Sequence, residues 1–146
     1  IRAVAAEHSI AVEMPDDTVT VSADPRLTEI AVNNLLENAV KYSPPGTTVT
    51  VRLERQPGGG AEVSVSDQGP GIPASERERI FEKYYRAENT SGTAGAGLGL
   101  HLVRAIMAAH GGSVECASSG PGGSRFVLRF PDVGGAAAAV TAEVAE

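Results

Sequence analysis

The spacing of apolar positions changes several times along the chain, and each change marks an element. "SIAVEM" (9–14) and "TVTVSA" (18–23) alternate or run apolar on either side of "PDD", which predicts two strands joined by a turn. The period then lengthens. Asp24 followed by Pro25 offers an N-cap acceptor and a proline at the first helical position, and a helical pattern runs from Arg26 to Ser43 before "PPG" stops it. "TTVTVRLER" (47–55) and "AEVSVSD" (61–67) return to strand alternation around "QPGGG", a hairpin with a loose connection. "PASERERIFEKYYRA" (73–87) is charged and helix-prone. "LGLHLVRAIMAAH" (98–110) is dense enough in apolar residues to predict a largely buried helix closed by Gly111, and "GSVECAS" (112–118) with "SRFVLRF" (124–130) flanks "SGPGG" as a second hairpin. The outline is α+β: a two-layer α/β sandwich with one mostly antiparallel sheet of about five strands and three main helices on one face.

Composition narrows the function classes. With 146 residues, 42% hydrophobic and 21% charged, the chain reads as one globular domain over 1–132, followed by a low-complexity tail over 133–146. A net charge of -6, with 12 basic residues scattered singly, argues against a nucleic-acid partner, since affinity for a polyphosphate backbone rests on clustered Lys and Arg. One cysteine, Cys116, excludes an internal disulfide framework and a Cys-based zinc site, and reads as a buried structural thiol. The apolar runs fall short of the ~20 residues that span a bilayer, so the domain is expected to make no direct membrane contact. The chain starts in mid-pattern without methionine and reads as a piece of a longer protein.

At 3.6 residues per turn, Leu27, Ile30, Ala31, Asn34, Leu35, Asn38, Ala39 and Tyr42 form one stripe of the first helix, while Glu29, Asn33 and Glu37 fall on a solvated one. A buried carboxamide without a partner costs about 1–3 kcal/mol, so Asn34 and Asn38 need something polar before them. With Lys41 one turn further along, their amide oxygens suit a metal-bound polyphosphate. An internal hydrogen-bond network would also satisfy them.

"SDQGPGIP" (66–73) holds Asp67, Gly69 and Gly71 after a strand. It fits an Asx-type turn, and it equally fits a site where a carboxylate accepts an exocyclic amine and glycines let a flat base lie on the backbone. "SGTAGAGLGLHL" fails as a P-loop, because Leu98 and Gly99 rather than lysine and a hydroxyl residue follow Gly97, and as a dinucleotide fingerprint, because position 100 is leucine. A mobile loop running into a helix N-terminus survives, as does a plain linker.

Taken together and in order, "NNLLENAVKYS", "DQGPGIP", "IFEKYYR" and "GAGLGL" resemble the N, G1, F and G2 boxes of the catalytic, ATP-binding domain of sensor histidine kinases, in the superfamily of gyrase, Hsp90, histidine kinase and mismatch-repair ATPases. The resemblance covers about residues 9–131. It implies the Bergerat fold, with ATP and Mg2+ as cofactors. Asn38 would ligate the metal, with Asn34 where the ATPase branches carry a catalytic glutamate. Lys41 would reach the phosphates and Tyr42 would flank the nucleotide. Asp67 would take the adenine amino group, with Gly69, Gly71 and Ile72 lining the base. Phe81, Tyr84 and Tyr85 would anchor the start of a lid, Arg86 would approach the terminal phosphate, Gly95, Gly97 and Gly99 would close the lid on the phosphates with Ala96 among the nucleotide-binding residues, and Leu98 and Leu100 would fix it to the core. Asn34, Asn38, Lys41 and Arg86 would form the catalytic set. Ala96 departs from the Ser or Thr of most relatives, and His101 is a tolerated variant. No segment resembles the phosphoacceptor helix, and His8 and His110 read as structural.

The implied activity is transfer of the ATP γ-phosphate to a histidine on the dimerisation domain of the same parent protein, with a response regulator downstream. The domain itself would be monomeric and cytoplasmic, its parent membrane-anchored. The alternatives are a serine kinase of the anti-sigma-factor type and a nucleotide-binding interaction module without catalysis.

Overall fold

The computed structural model describes residues 7–16, 19–82, 99–118 and 122–132. Five strands, β1 (Ser9–Glu13), β2 (Thr48–Arg55), β3 (Ala61–Asp67), β4 (Ser113–Ser118) and β5 (Ser124–Phe130), form one sheet in the order β1-β2-β3-β5-β4. Helices α1 (Pro25–Tyr42) and α2 (Gly99–Ala109) pack on each other and on the sheet. The expected α+β sandwich is therefore present, and both hairpins form in the expected places, β2 with β3 and β4 with β5.

Of the strand expected over 18–23, the described residues 19–23 form none. β1 instead pairs in parallel with β2, Ser9 opposite Thr48, and a parallel neighbour requires a long crossover, which α1 supplies. The alternation of Val19 and Val21 had a different cause. Both side chains are buried in the core, but the segment joins no ladder. The helix expected over 73–87 is also absent as far as residue 82, where the chain makes two single 3-10 turns, Ala74–Glu76 and Arg79–Phe81. Two α-helices rather than three thus lie among the described residues. Residues 83–87, the lid segment and the tail over 133–146 fall outside them.

α1 begins and ends as its sequence dictates. The Asp24 carboxylate accepts from the Arg26 and Leu27 N–H groups at 2.9 and 3.1 Å, Pro25 opens the first turn, and Ser43 leaves the helix in an extended conformation ahead of Pro44. Its buried residues are Thr28, Ala31, Leu35, Leu36, Ala39 and Val40. The core-facing arc is therefore rotated from the expected stripe. Leu27 and Ile30 stay 36% and 37% exposed, and Asn34, Asn38 and Tyr42 are half-buried along the arc's edge. α2 also buries less than expected. Val103, Ile106 and Met107 enter the core, while Leu102 remains 44% exposed. Gly111, at φ +70°, closes it as anticipated.

His110 joins the two helices. Its Nδ1 lies 2.7 Å from the Ile106 carbonyl oxygen, and the Asp24 N–H donates to its Nε2 at 2.9 Å. This pairing of both ring nitrogens with backbone bears out a structural role. His8 likewise bonds the Ser43 carbonyl oxygen through Nε2 at 3.2 Å. Phe81, from the second 3-10 turn, packs edge-on against Phe126 of β5, ring centroids 6.1 Å apart, so the segment that ends at residue 82 is rooted in the core.

Candidate nucleotide site

The site begins at the end of β3. Ala61, Val63, Val65 and Asp67 alternate onto the core face, opposite Phe130, Leu128, Phe126 and Ser124 of β5. Asp67 is thus the last member of an otherwise apolar row, and only 6% exposed. Its Oδ1 accepts from the Gly69 N–H at 2.9 Å, an Asx-type turn, and from the Ser124 N–H at 3.3 Å. Burial raises the carboxyl above its ordinary 3.8, and the two N–H donors oppose that rise. Ser124 escaped the sequence reading, although a serine ending the Phe130–Leu128–Phe126 row was the available signal.

The turn is pressed against the end of α1. A Cβ on Gly69 would stand 2.6 Å from the carbonyl oxygen of Tyr42, so only glycine permits this approach. Gly71 has φ +79°, and a Cβ there would meet the Gly123 carbonyl oxygen at 3.1 Å. Gln68 ties the turn to β2, its Oε1 accepting from the Thr48 N–H at 2.7 Å. Ile72 packs, half-buried, on the core.

The close approach of Gly69 brings Asp67 to the end of the helix that carries Asn38, Lys41 and Tyr42. Lys41 is exposed, its Nζ 6.0 Å from the centre of the Tyr42 ring. The Asn34 amide donates to the Ile30 carbonyl at 3.0 Å, which realises the internal-network alternative for half of that side chain. Its Oδ1 faces α2, 3.2 Å from where a Cβ on Gly99 would stand. A groove of about 440 Å³ opens there between α1 and α2, lined by Asn34, Gly99, His101, Leu102 and Ala105. Leu100 packs against the core beside it. Tyr84, Tyr85, Arg86, Gly95, Ala96, Gly97 and Leu98 lie outside the described residues.

Among the described residues, no group of three His, Cys, Asp or Glu side chains could hold a metal. Mg2+ suits such a place nonetheless, because it keeps several waters and takes phosphate oxygens with only one or two protein ligands. Cys116 is half-buried, and burial pushes its thiol up to about 11, so it stays protonated and unreactive.

A sheet with both helices packed on it, an acid at a strand end and amides along a helix edge make an α/β sandwich with a candidate site at one end of α1. The chain belongs to the histidine kinase-, DNA gyrase B- and HSP90-like ATPase family, whose model matches residues 23–134. It is 48% identical over 94 residues to the signal transduction histidine-protein kinase/phosphatase MprB of Mycolicibacterium smegmatis, covering 64% of this chain and 19% of that protein. It is 37% identical over 124 residues to the adaptive-response sensory kinase SasA of a Nostoc species, covering 85% of this chain and 31% of that one. The chain thus spans between a fifth and a third of the length of these curated relatives. Among solved structures, a mycobacterial sensor histidine kinase MprB superposes with a TM-score of 0.76 at 34% identity, covering 89% of this chain and 85% of that one. Full-length ShkA in complex with AMPPNP gives 0.76 at 30% identity, covering 97% and 28%. Among the described residues, no helix is long and apolar enough to cross a membrane.

Proposed function

We propose that this chain binds Mg-ATP and presents the γ-phosphate to a histidine on a separate dimerisation domain of its parent protein, as the catalytic domain of a sensor histidine kinase. The observation that carries the reading is the contact of Gly69 with the Tyr42 carbonyl, which brings the acid turn against the end of the helix that bears the amides and a lysine.

Asp67 accepts the exocyclic amine of adenine, the base lying against Gly69, Gly71 and Ile72, with Tyr42 at its flank. Lys41 neutralises phosphate charge, and Asn34 holds its amide oxygen toward α2. Asn38 would hold Mg2+ together with the phosphates, the ion supplying charge stabilisation at the transferring phosphoryl group. Tyr85, Arg86 and residues 95–100 would close over the phosphates. An amide at position 34 cannot serve as general base for water, so the domain turns ATP over slowly until the acceptor arrives. The nucleophile and its base belong to the partner domain, the phosphate passes on to a response regulator, and the work is done on the cytoplasmic side of a membrane-anchored parent.

The test combines the purified chain with a dimerisation domain carrying the acceptor histidine and with labelled ATP. Acid-labile, base-stable label on that domain is expected, and Asn38→Ala should lower transfer by roughly 10²–10³-fold, the cost of removing a group that stabilises transition-state charge. Acid-stable label, or binding without transfer, overturns the reading.

A further inference from the structure

The turn that carries Asp67 is fastened on one side by the Ser124 N–H, Gln68 and the Tyr42 carbonyl. Its outgoing end is different, because from Ile72 the chain joins no ladder before Ile80 and Phe81 enter the core. Short-range bonds organise the intervening segment, Glu76 N–H to Pro73 and Arg77 N–H to Ala74, at 2.9 and 3.4 Å. They fix 73–77 among themselves without reaching the turn. A side chain makes that link. The Arg77 Nε–H donates to the Ile72 carbonyl at 3.1 Å, closing a six-residue loop from outside the turn. The guanidinium also favours ionisation of the Cys116 thiol of β4, against burial.

We propose that Arg77 is a positioning residue for adenine recognition. By pinning the Ile72 carbonyl, it holds the Ile72 side chain and the Gly69–Gly71 backbone at the spacing a flat purine needs opposite Asp67. The proposal rests on the ATP reading above and adds a residue that touches no nucleotide. The N–H donor does this, not the charge.

Two substitutions separate donor from charge. Gln places an N–H donor the same number of bonds from the backbone as the arginine Nε, and Met places a methyl group there. Binding of ATP and of inosine triphosphate, which lacks the exocyclic amine, is measured on the whole chain by calorimetry, alongside thermal melting. R77M should weaken ATP binding about fivefold, as expected for the net loss of one hydrogen bond, and narrow the preference for ATP over the inosine nucleotide. R77Q should stay within about twofold of the parent chain, and all three proteins should melt together. The proposal fails if R77M binds as the parent does, if R77Q loses as much as R77M, or if both nucleotides weaken equally as melting falls. A parent chain without preference for ATP over inosine triphosphate would instead sink the adenine reading itself.

Discussion

Gly69 and Gly99 approach α1 two turns apart, and they meet it differently. A Cβ on Gly69 would run into the backbone carbonyl of Tyr42 at 2.6 Å, whereas a Cβ on Gly99 would meet the side-chain oxygen of Asn34 at 3.2 Å. Backbone at the end of a helix cannot give way, but an asparagine rotamer can. Around Gly69 the groups are buried and bonded, with Asp67 at 6% exposure. Around Gly99 a groove of about 440 Å³ stands open beside exposed Leu102. The acid turn is thus held by backbone contacts, and the groove beside Gly99 has room to adjust. That division suits a site that must recognise one constant group and then admit a second macromolecule.

Gly69→Ala gives the sharpest test. The turn must lift from α1, so stability should fall by about 1–3 kcal/mol, the usual cost of overpacking, and ATP binding should be lost in calorimetry. Unchanged binding would mean that the base end is as adaptable as the other.

Asp67→Asn should weaken ATP roughly 10–100-fold, the range for a hydrogen bond to a charged group. It should not lower stability at neutral pH. The folded carboxyl is raised above its ordinary value, so its contribution to stability is fully present below pH 3.8 and is lost as pH rises through the raised pKa. The amide variant escapes that loss. Its melting temperature relative to the parent chain should therefore climb from acid toward neutral pH. A flat difference would show that the two N–H donors fully offset burial.

The smallest effect belongs to Gly99→Ala. Helix propensity favours alanine by up to about 1 kcal/mol, and a Cβ there meets only the Asn34 side chain, so the melting temperature should change far less than for Gly69→Ala. A loss as large as that of Gly69→Ala would erase the contrast between the two ends.

Much of this was legible in the sequence, because period-2 rows report which face is buried. The alternation of 61–67 already placed Asp67 on the side of Val63 and Val65, and the caps of α1 were written in Asp24, Pro25 and the Pro pair after Ser43. Alternation does not report pairing partners, however, which is why Val19 and Val21 looked like a strand. Nor does helical spacing fix where the sheet lies. The stripe through Leu27 and Ile30 was as regular as the arc through Thr28 and Leu35 that is actually buried, and only the packing of α2 and the sheet distinguishes them. The charged run over 73–82 favoured a helix by propensity, but Ile80 and Phe81 are drawn into the core through tight turns.

The hydrogen bond from Ser124 to Asp67 spans 57 residues of sequence. It cannot form until the β4–β5 hairpin has docked against β3, so the acid acquires its recognition geometry only as the last strand of the sheet arrives. A nascent chain ending before β5 would carry "NNLLENAVKYS", "DQGPGIP" and "GAGLGL" complete and still lack the Ser124 donor to Asp67. On the proposed reading, nucleotide binding then reports that folding has finished, and a ligand that prefers the folded form in turn protects the joint between β3 and β5.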